Sequence, residues 1–153
     1  CFMLSFKPTY AMAEVHERLN EVEVARLYCR NEYTQPIRVT GGRLHGLTMR
    51  GRRVGASDFS LEVMVRRVPN GEVLRRSSLA SEALGQQIAD AEVSFEPLPT
   101  KAGEIYFVTL LAPGATPISK PTVLYSTDTG AEGSFTINGS KGRGHLLLRG
   151  DYE

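Results

Sequence analysis

The sequence predicts an all-β fold, an antiparallel β-sandwich with one or two short helices. Apolar and polar residues alternate with a period of two in several segments, Gly- or Pro-containing turns separate these segments, and no repeat or linker divides the chain. The 153 residues, 41% of them hydrophobic, are enough for one domain with its own core. The net charge of +1 gives no field that favours nucleic acid, so we expect no nucleic-acid partner.

The first residues, CFMLSF, are strongly apolar, with no initiator Met and no basic segment. We interpret residues 1–6 as the end of a transmembrane helix that belongs to a longer protein, and residues 7–153 as a single β-sandwich domain. A buried N-terminal strand is the alternative for residues 1–6. The two cysteines, Cys1 and Cys29, are able to form one disulfide in an oxidising compartment, but two cysteines do not establish the compartment.

The elements follow in chain order. Charges in helical spacing predict a short helix over residues 11–19, and VEVARLYCR predicts a strand over residues 22–30. Phe59, Leu61, Val63 and Val65 alternate with a second set of residues, so we expect a strand with one face on a core and the other in solvent. The predicted solvent-facing residues are Ser60, Glu62, Met64 and Arg66. SLASEALGQQI at 78–88 predicts a short crossover helix.

The second half of the chain continues the strand pattern. Val93 and Phe95 alternate with polar residues, and residues 105–111 are apolar on both faces, which is typical of a central strand. Three more strands are predicted at 123–125, 134–137 and 145–148. The turns between strands lie at Pro69-Asn70-Gly71, Lys101-Ala102-Gly103, Ala112-Pro113-Gly114 and Asn138-Gly139.

Asp128-Thr129-Gly130-Ala131 has the letters of an aspartic-protease signature. Such a site needs two carboxylates sharing a proton, and its Asp follows a buried apolar strand. Here Ser126 and Thr127 precede Asp128, and the 25 residues after it are too few for the flap and second motif of such an enzyme. The four residues therefore predict a turn between strands, in which Asp caps and Gly takes a positive φ.

The arginines form a second feature. Arg50-Gly51-Arg52-Arg53, with the pairs Arg66-Arg67 and Arg75-Arg76, suggests a surface for phosphate or an acidic glycan. The alternative is a set of solvated loops and strand edges, where such charges are common. Arg149-Gly150-Asp151 matches the integrin tripeptide, which we interpret as a coincidence of composition. No Cys/His spacing suits a metal and no nucleophile elbow is present, so we expect no metal, no cofactor and no catalysis by this domain.

Four segments follow one another in an order that is informative. GGRLHGLTM and DFSLEVMVRRVPNGEVLRRSSL read as an opening strand and a strand–turn–strand unit. ALGQQIADAEVSFEPLPTKAGEIYFVTLLAP contains a Phe-x-Pro segment followed by a strand, and SFTINGSKGRGHLLLRGDY reads as a closing hairpin. In this order the segments resemble a jelly-roll domain of bacterial cell-envelope membrane proteins. The resemblance covers roughly residues 24–152, and it is the resemblance that implies a jelly-roll rather than an immunoglobulin-like strand order.

These domains are similar to galactose- or carbohydrate-binding modules of membrane proteins in polysaccharide metabolism, including glycosyltransferases. The resemblance implies a non-catalytic, periplasmic module, membrane-anchored through a segment outside this chain, which binds a polysaccharide or lipid-linked glycan. A sugar site combines an aromatic face with planar polar groups. The residues near predicted loops that could supply them are Tyr33, Arg52, Arg53, Tyr125 and Asp128.

A different class of function stays open. An assembly domain would bind a protein partner in the envelope, either a membrane protein or the rest of its own chain. It would present an exposed apolar patch instead of a concave polar site. A hydrolase ranks third, because no pair of carboxylates with acid/base spacing can be selected from the sequence.

Overall fold

A computed structural model of the protein describes residues 21–128 and 133–153. Within these ranges the chain forms β-strands and one short 3-10 helix, Ser81–Ala83. The strands are β1 (Glu21–Glu23), β2 (Glu32–Arg38), β3 (Gly42–Val54), β4 (Ser60–Arg66), β5 (Val73–Ala80), β6 (Ala89–Thr100), β7 (Ile105–Leu111), β8 (Lys120–Ser126), β9 (Thr136–Ile137), β10 (Ser140–Lys141), β11 (His145–Leu146) and β12 (Leu148–Tyr152).

The strands form two antiparallel sheets. The first contains β1, β8, β3 and β6 in that order, with β11 paired to β8 and β12 paired to β3. The second has the order β10-β9-β2-β7-β4-β5. The pairs β1–β8, β2–β7, β3–β6 and β4–β5 are nested, as in one long hairpin rolled into two layers. This is the strand order of a jelly roll, so the predicted jelly-roll-like sandwich is confirmed.

The core lies between the sheets, where the period of two places apolar side chains. Leu61, Val63 and Val65 of β4 are buried, as the alternation predicts, and Val108 and Leu110 of β7 pack in the same cluster. These side chains lie on the inner face because successive residues of a strand point to opposite sides. Burial of apolar surface between the layers therefore stabilises the sandwich.

Two predicted elements are wrong in extent. The strand predicted at 22–30 ends at Glu23, because the later backbone groups bond to turns and side chains: the Arg26 amide donates to Tyr33 Oη and the Ala25 carbonyl accepts from Lys120 Nζ. The helix predicted at 78–88 is mostly strand and loop. Residues 78–80 pair with β4, and only three residues after them are helical.

The prediction for the Asn138-Gly139 turn is confirmed. Asn138 and Gly139 have φ values of 53° and 86° and connect β9 to β10, which is the backbone of a tight two-residue hairpin turn. The proposed transmembrane end at 1–6 and the helix at 11–19 lie outside the described residues. Within the described ranges, no helix has the length and apolar character needed to cross a membrane.

One irregularity of the first sheet positions the site. β8 pairs with β3 over residues 120–123, whereas further along β3 the partner is β12. Beyond Val123, β8 pairs instead with β11, and the amide of Leu147, between β11 and β12, donates to the carbonyl of Leu124. We call this branching point of the sheet, where β8 leaves β3 and β11–β12 begins, the fork.

Candidate functional site

Tyr33, predicted from the sequence to contact a ligand, lies in the core. Its side chain is only 2% exposed, and its ring centroid lies 5.8 Å from that of Phe135. Its hydroxyl accepts a hydrogen bond of 3.0 Å from the Arg26 amide. Burial raises the pKa of the Tyr33 hydroxyl from 10.0 to about 12. Because the ring is enclosed by protein, it offers no face to a sugar in this structure.

The raised pKa predicts a loss of stability at alkaline pH. The neutral phenol is favoured in the folded state, so its contribution is fully present below pH 10 and is lost as the pH rises towards 12. A shift of this size corresponds to about 3 kcal/mol in the free energy of unfolding. Chemical denaturation at successive pH values, with Tyr33→Phe as the control, measures it. A wild-type protein that loses stability no faster than Tyr33→Phe between these pH values would contradict the assignment.

Arg52 and Arg53 lie next to each other on β3, but their side chains point to opposite faces. Arg52 donates from Nε to Glu23 Oε1 at 2.7 Å and from Nη2 to Oε2 at 3.2 Å. Arg53 lies over the ring of Phe59, 5.4 Å from its centroid, and donates to the Ser57 carbonyl. Both guanidinium groups are therefore engaged within the fold, and they do not face one ligand together.

Tyr125 and Asp128 lie beside the fork. The Tyr125 ring packs edge-on against Phe135, with centroids 5.2 Å apart. Asp128 contributes its backbone carbonyl, which accepts a hydrogen bond of 2.8 Å from His145 Nδ1. The rest of the predicted DTGA turn lies outside the described residues. The five residues predicted from the sequence thus do not converge on one surface, although Tyr125 and Asp128 border the region described next.

Two cavities flank the β11–β12 segment. The outer cavity has a volume of about 250 Å³, and its polar lining is Thr48, Arg50, Asp90, His145 and Arg149. The inter-sheet cavity lies between β2 and β11–β12, has a volume of about 140 Å³, and its polar lining includes Gln35, Arg38, His145 and Tyr152. His145, Leu146 and Leu148 line both cavities. We call the two cavities together the fork site.

Strand register positions the outer cavity. Leu47 and Met49 of β3 point into the core, so Thr48 and Arg50 point to the outer face of the sheet. Arg149 of β12 is paired with Thr48. On the other side of β3, Asp90 of β6 is paired with Arg50. Three neighbouring strands thus bring charged side chains from distant parts of the sequence to one small area.

Ion pairs in the outer cavity are long. Arg50 Nε lies 3.7 Å from Asp90 Oδ1, and Arg149 Nε lies 3.7 Å from Asp151 Oδ1. Asp151 also accepts a hydrogen bond of 2.7 Å from Thr48 Oγ1. The carboxylate of Asp151 is therefore fixed by Thr48, whereas the two guanidinium groups are held less closely.

His145 has a defined tautomer because its partner is a carbonyl. The Asp128 carbonyl oxygen only accepts hydrogen bonds, so Nδ1 of His145 carries the proton. Nε2 is then the acceptor of the neutral ring, and it makes no hydrogen bond with the described residues. The half-buried imidazole, which lines both cavities, therefore has one polar atom available to a ligand.

Gln35 fixes the β11 backbone from inside the fold. It is 4% exposed, its Oε1 accepts a hydrogen bond of 2.7 Å from the Leu146 amide, and its Nε2 donates to the Pro36 carbonyl. It thereby ties the second sheet to the wall of both cavities. The sequence contained a signal for it: Gln35 is a polar residue at an inward position of β2, between Tyr33 and Ile37.

Tyr152 supplies the aromatic group of the site. It is half-buried, and its hydroxyl accepts a hydrogen bond of 3.3 Å from the Thr40 amide. With Arg38 and His145 in the same cavity, the site combines an aromatic ring with planar polar groups. No group of three or more potential metal ligands occurs among the residues that the structure describes. Chemically, this arrangement suits hydrogen bonding to hydroxyl groups beside an apolar surface.

Comparison with known proteins finds no matching family model, no similar curated protein and no matching solved structure. The resemblance to bacterial envelope domains remains a prediction from the sequence.

Proposed function

We propose that this chain is a non-catalytic glycan-binding module that holds a polysaccharide or lipid-linked glycan at the fork site. The observation that carries the proposal is the meeting of two cavities at His145, with a Tyr152 ring in one and Arg–Asp groups in the other. Pyranose rings have an apolar face and a rim of hydroxyls. An aromatic ring matches the first, and planar side chains that donate or accept two hydrogen bonds match the second.

The dimensions support a small ligand or one part of a polymer. Small-molecule sites have volumes of about 300–1,000 Å³. The outer cavity, at about 250 Å³, and the inter-sheet cavity, at about 140 Å³, reach this range only together. A glycan that follows the β11–β12 segment would contact both. The rest of a longer chain would continue across the polar outer face of the first sheet.

We further propose an extracytoplasmic location, as part of a bacterial membrane protein. The support for this location is the resemblance of roughly residues 24–152 to domains of bacterial cell-envelope membrane proteins.

The proposal is tested by screening the purified protein against a panel of bacterial polysaccharides and oligosaccharides. We expect saturable binding that His145→Ala or Tyr152→Ala weakens by about tenfold or more, since each removes a group that contacts the ligand. Tyr152→Phe keeps the ring and is expected to retain most of the affinity.

His45→Ala is the matched control. His45 lies on β3 and lines neither cavity, so its loss is expected to leave binding unchanged. Binding that survives both His145→Ala and Tyr152→Ala would place the site elsewhere. If the folded protein bound no glycan of the panel, an assembly domain would be the better account.

A further inference from the structure

We infer that the outer cavity is a subsite for the anionic group of an acidic glycan, held between Arg50 and Arg149. The inference rests on the proposed function and deepens it, because it names the class of sugar. The shared chemistry is a planar or tetrahedral oxyanion, which is either the carboxylate of a uronic acid or the phosphate of a phosphorylated sugar. Guanidinium groups bind both through paired hydrogen bonds.

The register brings the two arginines together. Arg149 is paired with Thr48, and Arg50 is two residues along β3 from Thr48, so the two arginines are diagonal neighbours on the same face. Diagonal neighbours on paired strands have Cα atoms about 7–8 Å apart, which long side chains bridge easily. Both arginines line the outer cavity. One oxyanion is therefore within reach of two guanidinium groups.

Both guanidinium groups have donors available. At 3.7 Å, the contacts to Asp90 and Asp151 are ion pairs without a hydrogen bond. Neither Arg50 nor Arg149 makes a side-chain hydrogen bond with the described residues. Their side chains are 44% and 68% exposed, so a ligand reaches them without rearrangement of the core. Each guanidinium presents five N–H donors in a fixed plane.

Three carboxylates oppose an anion here. Asp90 pairs with Arg50, Asp151 pairs with Arg149, and Glu92 of β6 is the register partner of Thr48. Exposed ion pairs contribute little to stability, so replacing them with a ligand oxyanion costs little. Asp151 is already bonded to Thr48 and the side chain of Asp90 is 60% exposed, so a ligand oxyanion competes with two ion pairs of 3.7 Å.

His145 adds selectivity to the subsite. It lines the same cavity, and its Nε2 accepts a hydrogen bond from a neutral hydroxyl. A uronate presents a carboxylate with hydroxyls on the adjacent ring carbons. The two arginines and His145 thus match one charged group and one neutral group of the same sugar.

The test is isothermal titration of the purified protein with three probes. These are an oligogalacturonide, a neutral glucose oligosaccharide of the same length, and glucose 1-phosphate. Each is titrated into wild type, Arg50→Gln, Arg149→Gln and Arg149→Lys. Arg76→Gln is the matched control: Arg76 is an exposed arginine in the other sheet, paired with Glu62 at 3.8 Å.

We expect the oligogalacturonide or the phosphate to bind at least about tenfold more tightly than the neutral probe, and more weakly as salt rises. Arg50→Gln and Arg149→Gln should each weaken binding of the acidic probe by about tenfold, and weaken binding of the neutral probe much less. Arg149→Lys should recover only part of the loss, because an ammonium group lacks the bidentate fork. Whichever of the two acidic probes binds more tightly shows whether the subsite prefers a uronate carboxylate or a phosphate.

Two results would overturn the inference. Equal affinity for acidic and neutral probes, unaffected by the arginine variants, would refute the acidic subsite while the glycan-binding function stands. A loss of acidic-probe affinity in Arg76→Gln as large as in Arg149→Gln would show a general charge effect with no defined subsite. If none of the probes and no glycan of the wider panel binds, the proposed function itself fails.

Discussion

Replacing Gly144 with alanine is expected to lower the free energy of unfolding by about 3 kcal/mol or more. Gly144 has a φ of 98°, which L-residues rarely adopt, and a Cβ atom there would overlap the carbonyl oxygen of Ser126. The overlapping atom is backbone, so β8 or β11 must move. Because Gly144 directly precedes His145, the same change should also disturb the fork site.

Gly139→Ala separates the two effects. Gly139 has a similar φ of 86°, but a Cβ atom there would have no neighbour within 4 Å. Gly139→Ala should therefore lower the free energy of unfolding only by the backbone strain, about 1 kcal/mol. Chemical denaturation of both variants measures the difference. Equal destabilisation would mean that β8 and β11 separate easily, which contradicts the close packing at the fork.

Arg52→Ala is the second large effect, and we expect it to lower the free energy of unfolding by about 3 kcal/mol. Glu23 is 5% exposed, and its carboxylate receives two hydrogen bonds from Arg52 and one of 2.5 Å from Thr122 Oγ1. Removing Arg52 takes away the guanidinium group that pairs with this buried carboxylate, and with it two of the carboxylate's hydrogen bonds. β1 is only three residues long, so loss of this contact should release it from β8.

A double-mutant cycle with Glu23→Gln isolates the charge. Glu23→Gln keeps the shape of the side chain and removes its charge. Arg52→Ala should therefore lower the free energy of unfolding clearly less in the Glu23→Gln protein than in wild type. Denaturant titration of the four proteins gives the coupling free energy. Additive effects of the two substitutions would contradict the account, because they would show that the arginine contributes through packing alone.

The sequence predicted the sandwich because the alternation of apolar and polar residues along a strand shows which residues face a core. Leu61, Val63 and Val65 of β4 illustrate this, since all three are buried as predicted, although Met64, expected on the solvent face, is also buried at 5% exposure. Alternation says nothing about which strand pairs with which. The nested order of the strands was implied only by the resemblance, and it required the structure for confirmation.

The residues of the fork site could not be selected from the sequence, for a physical reason. The polar side chains of the site come from β2, β3, β6, β11 and β12. These strands are far apart in the sequence, and only their pairing register makes the side chains neighbours. Choosing residues near predicted loops selected Tyr33, which points into the core, and the neighbours Arg52 and Arg53. Adjacent strand residues face opposite sides, so that pair could have been rejected from the sequence. Arg149, interpreted as part of a chance tripeptide, is the residue that pairs with Thr48 at the outer cavity.

We propose that a glycan binds at the fork site. The most direct test is a two-dimensional NMR titration of isotope-labelled protein with the tightest-binding glycan of the panel. We predict that the largest saturable amide shifts occur at His145, Leu146, Leu148 and Arg149, with smaller shifts at Ile37 and Arg38 of the facing strand. Shifts confined to the outer face of the second sheet, or to the turn at Asn138-Gly139, would contradict it.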